Sequence, residues 1–295
     1  MENLENWRKA GKIAAQALEY GRGLITNGAV IREVCDKIDA KIVELGAIPA
    51  WPTQIGLDDV AAHQTPDHDD ETVFDKNVVC LDVGAHVNGC VGDNATSVDL
   101  SGEYSDIIKA SEQALKAAMK LVAPGTKLGE IGHAIQETIQ GFDLKPVRNL
   151  CGHGISQWVI HDKPSIPNYD TKDTRELKDG QVIAIEPFAT NGAGMIVEAD
   201  RANLFSMESA KPVRSPYARE LQTFIKQKYN TLPFTSRWIV KQFGAGKTSL
   251  AINELLRNGS LHPYPPLVEK DGGMVTVFEK TFLVGEKLEV LTKSD

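Results

Sequence analysis

The chain has 295 residues, 42% of them hydrophobic and 24% charged, enough to bury a sizeable core in one large domain or two modest ones and too apolar for disorder. Its net charge of −8 argues against a surface built as a whole for nucleic acid, and the four scattered cysteines, Cys35, Cys80, Cys90 and Cys151, form no C-x-x-C pair and no disulfide framework. The polar first residues lack the apolar centre of an export signal and no run of about 18 apolar residues could span a bilayer, so the expectation is a reduced cytoplasmic protein with no membrane partner.

In chain order, helix comes first, and a second helix follows a glycine turn at Gly28, with Ile31, Val34, Ile38 and Ile42 recurring at spacings of three and four. The segments 77–85 and 90–100 then read as strands around Val87-Asn88-Gly89, a two-residue hairpin signal. With Asn88-Gly89 as the turn, Val87 pairs with Cys90 and Asp82 with Ala95. Asp93 then lies on the same face as Asp82, diagonal to it and about 7–8 Å away between Cα atoms. The helical signal returns at Gly125, Leu128, Ile131, Ile135 and Ile139, each 97 places after its first occurrence. A shift of 98 sets His63-Gln-Thr-Pro66 on His161-Asp-Lys-Pro164, and a shift of 104 sets Val78–Asp82 on Val182–Glu186. Three matches in one order predict two related halves facing each other, an α+β fold whose antiparallel sheet is backed by helices and open on its other face.

The strand expected over 181–189 is almost wholly apolar apart from Glu186, and the one expected over 274–284 carries Glu279, which the repeat would make the counterpart of Asp93. Inward carboxylates repel and raise one another's pKa unless a cation sits between them; a pair of solvated strand aspartates is the plainer alternative. His153, flanked by Gly152 and Gly154, has a backbone free to turn its ring toward a site. Four carboxylates and an imidazole suit two divalent first-row ions, cobalt, manganese, iron or zinc, bridged by shared carboxylates about 3.5–4 Å apart. Calcium and magnesium seldom recruit a histidine.

Residues Arg201 to Lys270 carry 11 Lys or Arg against 4 Asp or Glu, a basic segment in an acidic protein. Within it, Gly244-Ala-Gly-Lys-Thr248 resembles the end of a phosphate-binding loop, but Lys241 stands where that motif needs glycine and no strand precedes it; a flexible connection between helices is expected instead.

The order Asp82, Asp93, His153, Glu186, Glu279, with the two aspartates eleven apart, resembles the ligand set of the methionine aminopeptidases and their pita-bread fold. Trp51-Pro-Thr53, Ala61-Ala-His-Gln-Thr-Pro66, Gly152-His153, Ile185-Glu-Pro-Phe188, Thr231-Leu-Pro-Phe234 and Tyr264-Pro-Pro-Leu267 are similar to motifs of the type II branch, through nearly the whole chain. The resemblance implies a catalytic pita-bread domain over 1–195 and 271–295, with an inserted helical subdomain over 196–270. It implies a monomeric, two-metal aminopeptidase that removes the initiator methionine from nascent chains and other N-terminal Met peptides whose second residue is small. By the same resemblance Asp82, Asp93, His153, Glu186 and Glu279 hold the metals. Glu186 also shuttles a proton, and His63 and His161 contact the substrate and its tetrahedral intermediate. Trp51, Ile160 and Tyr264 wall the methionine pocket, which Trp51, standing where phenylalanine is common, is expected to narrow.

Two residues depart from the pattern. Val277 replaces a glutamine, and Lys280 replaces a histidine, although strand alternation points Lys280 away from the metals. Two other readings compete. One is a catalytically silent relative that binds ribosomes or RNA, against which stands the complete ligand set; the basic segment would serve ribosome docking in that reading or in an active enzyme, or be no more than a solvated surface. The other is a prolidase or aminopeptidase P, enzymes that usually carry a further N-terminal domain.

Overall fold

A computed structural model describes residues 3–199 and 201–293. Helices Leu4–Leu24 (α1) and Ile31–Glu44 (α2) cover one face of the hairpin formed by strands Val78–Val87 and Cys90–Asp99. The hairpin turns at Asn88 and Gly89, both in the left-handed region, and its register sets Val87 against Cys90, Asp82 against Ala95 and Gly84 against Asp93, as the turn residues dictate. Alternation does the rest. Val79, Leu81, Val83 and Ala85 enter the core under α1 and α2, so Cys80, Asp82 and Gly84 face the other side. The backbones of α1 and this hairpin touch: a Cβ on Gly92 would lie 2.4 Å from the Cα of Gly11.

Helices Ser105–Met119 (α3) and Leu128–Gln140 (α4) repeat the plan, packing on Ile183 and Ile185 of strand Val182–Ile185 and on Phe282 of strand Lys280–Leu283. The turns that lead into α2 and α4 match bond for bond. Gly28 and Gly125 have φ of 84° and 88°. The Gly28 and Gly125 amides donate to Phe74 and Leu177, and those of Ile31 and Leu128 donate to Thr72 and Arg175. All strand pairs are antiparallel, and the fold is the α+β pita-bread arrangement.

Where the sequence predicts one strand over 181–189 and one over 274–284, each is broken in two. Val182–Ile185 and Phe188–Thr190 are separated by Glu186-Pro187, and Val275–Val277 and Lys280–Leu283 by Phe278-Glu279. Pro187 has no N–H to give a ladder.

Strand Cys90–Asp99 meets the second half at a bridge in which Ala95 and Glu279 exchange both backbone hydrogen bonds, at 3.4 and 3.0 Å. On one side of it the Ser97 hydroxyl accepts from Val277 N–H and donates to Val277 O; on the other, the Thr281 hydroxyl does the same for Asp93. A two-fold through the bridge therefore exchanges Ser97 with Thr281 and Asp93 with Val277. This corrects the expected pairing. The counterpart of Asp93 is Val277, opposite Phe188 as Asp93 is opposite Gly84, and Glu279 stands in the place of Ala95. The two halves thus contribute their acids from unequal positions.

Helices Pro216–Lys228 (α5), Ser236–Phe243 (α6) and Ala245–Arg257 (α7), with the small sheet of Leu204–Met207, Phe234–Thr235 and Leu261–Tyr264, gather a hydrophobic cluster of their own around Phe205, Leu221, Ile225, Phe234 and Leu255. Strands Ile196–Glu198 and Leu267–Glu269 flank this unit and connect it to Val60–Ala62 of the first half. Gly244 alone separates α6 from α7, at φ 76°, so the Gly244–Thr248 stretch is a tight helix junction and not the expected flexible connection; the element before it is a helix, not the strand of a phosphate-binding loop.

Candidate metal centre and substrate pocket

The alternation that buries Leu81 and Ile185 under helices delivers Asp82 and Asp93 to the open face, and Glu186 and Glu279 join them from the two strand breaks. His153 arrives on strand Cys151–Ser156, paired with Ala184 beside Glu186. The ligand atoms of Asp93, His153 and Glu279 all lie within 4.8 Å of one another. Nε2 of His153 lies 3.6 Å from Asp93 Oδ2 and 3.7 Å from Glu186 Oε1.

The electrostatics of this cluster call for a cation. Burial raises the Asp82 carboxyl to about 7 against a single opposing hydrogen bond from Trp51. Asp93 rises well above the carboxylate range through burial and the Asp82 charge, Glu186 through burial and Asp93, and Glu279 through burial and Asp93. Burial and the neighbouring His161 push His153 down to about 3, so its ring is neutral at pH 7 and its short contacts to carboxylates are not ion pairs. Nδ1 of His153 lies 3.1 Å from the Gly154 carbonyl, which can only accept, so the proton belongs on Nδ1 and the Nε2 lone pair faces the acids. Four acids that resist ionising together and one oriented nitrogen lone pair form a donor set suited to divalent metal.

All ten residues singled out in the sequence line one cavity: Asp82, Asp93, His153, Glu186 and Glu279, with His63, His161, Trp51, Ile160 and Tyr264. The His161 ring stands edge-on to His153, with centroids 4.6 Å apart, and the His63 ring stands edge-on to Tyr264 at 5.4 Å. His63 has φ 61°, and its N–H donates to Gln54 Oε1 at 2.6 Å. Burial lowers its pKa to about 4, and its buried Nδ1 has no hydrogen-bond partner among the described residues. Lys280 points away, donating to the Thr292 carbonyl at 2.8 Å. Val277 is buried in an apolar cluster with Ala95 and Phe188.

Gln54, Ala62, Leu204 and Pro233 also line the cavity and were missed. Gln54 pairs with Asp82 across the sheet, a long-range register that no local signal reveals. Pro233 lies inside the Thr231–Phe234 motif, which could have flagged it.

Such a centre on the open face of a two-halved α+β fold defines a metal-dependent hydrolase. The chain belongs to metallopeptidase family M24, whose sequence profile matches residues 5–208. It is 42% identical over 277 residues to a methionine aminopeptidase of Archaeoglobus fulgidus, covering 94% of this chain and 93% of that one. Among solved structures it superposes on a thermophilic Arx1 with a TM-score of 0.84 at 16% identity, covering 98% and 90% of the two chains. It also superposes on a methionine aminopeptidase of Thermotoga maritima with a TM-score of 0.72 at 24% identity, covering 98% and 96%. At these identities the structural likenesses speak for the fold. Neither the silent-relative reading nor the prolidase reading is favoured by the similarity in sequence. No helix of the described residues is long and apolar enough to cross a membrane.

Proposed function

We propose that the chain removes the N-terminal methionine from nascent proteins whose second residue is small. The observation that carries this reading is the meeting of four acids and a neutral imidazole in one cavity with Trp51, Ile160 and Tyr264. Full-length similarity to an archaeal methionine aminopeptidase supports it. In this reading residues 1–195 and 271–295 form the catalytic domain and 196–270 an inserted helical subdomain.

Asp82, Asp93, His153, Glu186 and Glu279 would hold two divalent ions, of cobalt, manganese, iron or zinc; such ions, when bound, polarise the scissile carbonyl and make water acidic enough to attack it near pH 7. The residues of the chain supply the rest. Glu186, half-buried among other acids, takes a proton from the attacking water and passes it to the leaving amine. Burial lowers the pKa of both His63 and His161 and so favours their neutral rings; with one ring N–H of His63 donated to the Pro265 carbonyl, its Nδ1 lone pair is left for the peptide. The apolar wall of Trp51, Ile160 and Tyr264 accepts an unbranched thioether side chain.

Release of free methionine from Met-Ala-Ser after reconstitution with each metal is the expected result. Cleavage confined to peptides with proline second would replace this reading with that of a prolidase, and no hydrolysis with any of the four metals would sink it.

Metal removal should have a pH signature. The four carboxyls have folded pKa values above their unfolded ones, so the metal-free folded state holds protons that the unfolded chain releases. Their ionisation costs stability as pH rises from the ordinary carboxylate range through about 7, where Asp82 titrates. Bound cations remove that cost and compete with protons below it. At a metal concentration of about 100 times Kd, chelation removes about 2.7 kcal/mol. Differential scanning calorimetry should show a fall in Tm of about 4–6 °C at pH 7.5, and a smaller one at pH 5.5. An equal fall at both pH values would contradict the assignment of these acids to the metal.

A further inference from the structure

We propose that Trp51 is a positioning residue for the metal centre, holding Oδ1 of Asp82 through its indole N–H and so fixing which oxygens of that carboxylate face the cluster. The proposal rests on the ligand set assigned above but not on the identity of the substrate.

Nε1 of Trp51 lies 3.2 Å from Asp82 Oδ1, and among the described residues no other side chain donates to that carboxylate. An indole has one N–H and accepts nothing, so this contact has one sense, and it leaves the remaining lone pairs of Asp82 for cations. The ring cannot drift. Trp51 is 3% exposed and packs with Ala50, Cys90, Val91 and Ile155. Its six-membered edge lies against bare backbone, where a Cβ added to Gly84 would come within 2.3 Å of it. The main chain is tied down on the same spot, since Ala50 N–H donates to Gly84 O and Pro49 pairs with Ala85. Gly84 follows Asp82 by two residues on the same face and lies opposite Asp93, so strand, ring and carboxylate form one rigid unit. A wall residue needs only shape. This one also carries a donor aimed at an acid, which phenylalanine would lack.

The test removes the donor while keeping the ring. Replacing Trp51 with benzothienylalanine, which has sulfur in place of N–H, preserves packing; Trp51→Phe is the genetically simpler companion. Manganese binding to the metal-free protein is followed by titration calorimetry, and Met-Ala-Ser hydrolysis by kcat and KM at saturating manganese. Loss of an orienting hydrogen bond behind a ligand weakens metal binding by about 10–100-fold. The expected result is a loss in that range for both variants, with KM changed by less than about threefold in the benzothienyl protein. Unchanged metal affinity in the benzothienyl protein overturns the proposal and leaves Trp51 a pocket wall. Weakened affinity in a protein whose parent hydrolyses no Met-Ala-Ser supports the positioning role and sinks the proposed function.

Discussion

Glu186→Gln should lower kcat for Met-Ala-Ser by about 10²–10⁴-fold, the usual contribution of a positioned acid–base group. The substitution keeps size and one carbonyl oxygen but deletes the basic oxygen that takes a proton from water. Glu186 sits where it can act on that proton: it is half-buried in the cavity, its pKa is raised by desolvation and then by Asp93, and it lies 3.7 Å from Nε2 of His153. Because the same side chain is also assigned to the metal, a fall in activity has two possible origins, and they separate experimentally. Metal occupancy is restored by raising the manganese concentration, which cannot restore a missing base. The deficit should therefore persist at full occupancy measured by calorimetry, and kcat/KM should fall with kcat. A kcat within about tenfold of the parent at full occupancy would remove Glu186 from the proton path and leave it only a ligand.

The legible part of this protein is the part governed by short-range rules. Asn88-Gly89 is a turn that fixes the register of a hairpin, and from that register the shared face of Asp82 and Asp93 follows by counting. Gly28 and Gly125 mark the starts of two helices because both turns need a left-handed backbone, and their shared spacing exposes the repeat. The ligand residues are legible for a related reason: an acid in an apolar run, such as Glu186 in Val182–Phe188, is costly to bury without a partner.

What was not legible depends on which strands become neighbours. The contact between Cys90–Asp99 and the Glu279 segment joins residues 184 positions apart in the chain, and the bridge with the two hydroxyl links beside it shows that Val277, not Glu279, corresponds to Asp93. The Trp51 N–H reaching Asp82 and the Gln54 amide holding His63 depend on side-chain directions that no periodicity encodes. Pro187 could have marked the first break, but the one at Phe278-Glu279 was hidden because the flanking residues are good strand formers on both sides. Tertiary pairing, not local propensity, ends that second strand where Glu279 turns inward.

The strongest stability effect is expected at Arg237, far from the metals. Its side chain is 1% exposed, and it ties α6 to α2 by donating to Asp36 and to Asp39. Asp39 is a junction. Its Oδ2 also accepts from Trp238 Nε1 at 2.8 Å, and its Oδ1 accepts from the backbone and hydroxyl of Thr53 at 3.0 and 2.7 Å. Thr53 stands two residues from Trp51, so the network links the helical unit, the first helix pair and the pocket wall. Arg237→Ala leaves Asp39 a buried charge without its guanidinium and opens a cavity, at a cost of about 3–5 kcal/mol. For a chain of this size that corresponds to a fall in Tm of about 6–12 °C. The partner on the other side should respond unequally. The Asp36 side chain is 32% exposed, so Asp36→Asn forfeits a solvent-screened pair and should cost no more than about 1 kcal/mol. If calorimetry gave the two variants equal, small shifts, Arg237 would be a surface clasp and not the buried pin between the helical unit and the catalytic halves. If Arg237→Ala also raised KM for Met-Ala-Ser while leaving manganese affinity intact, the displacement would have reached the pocket through the segment Trp51 to Gln54.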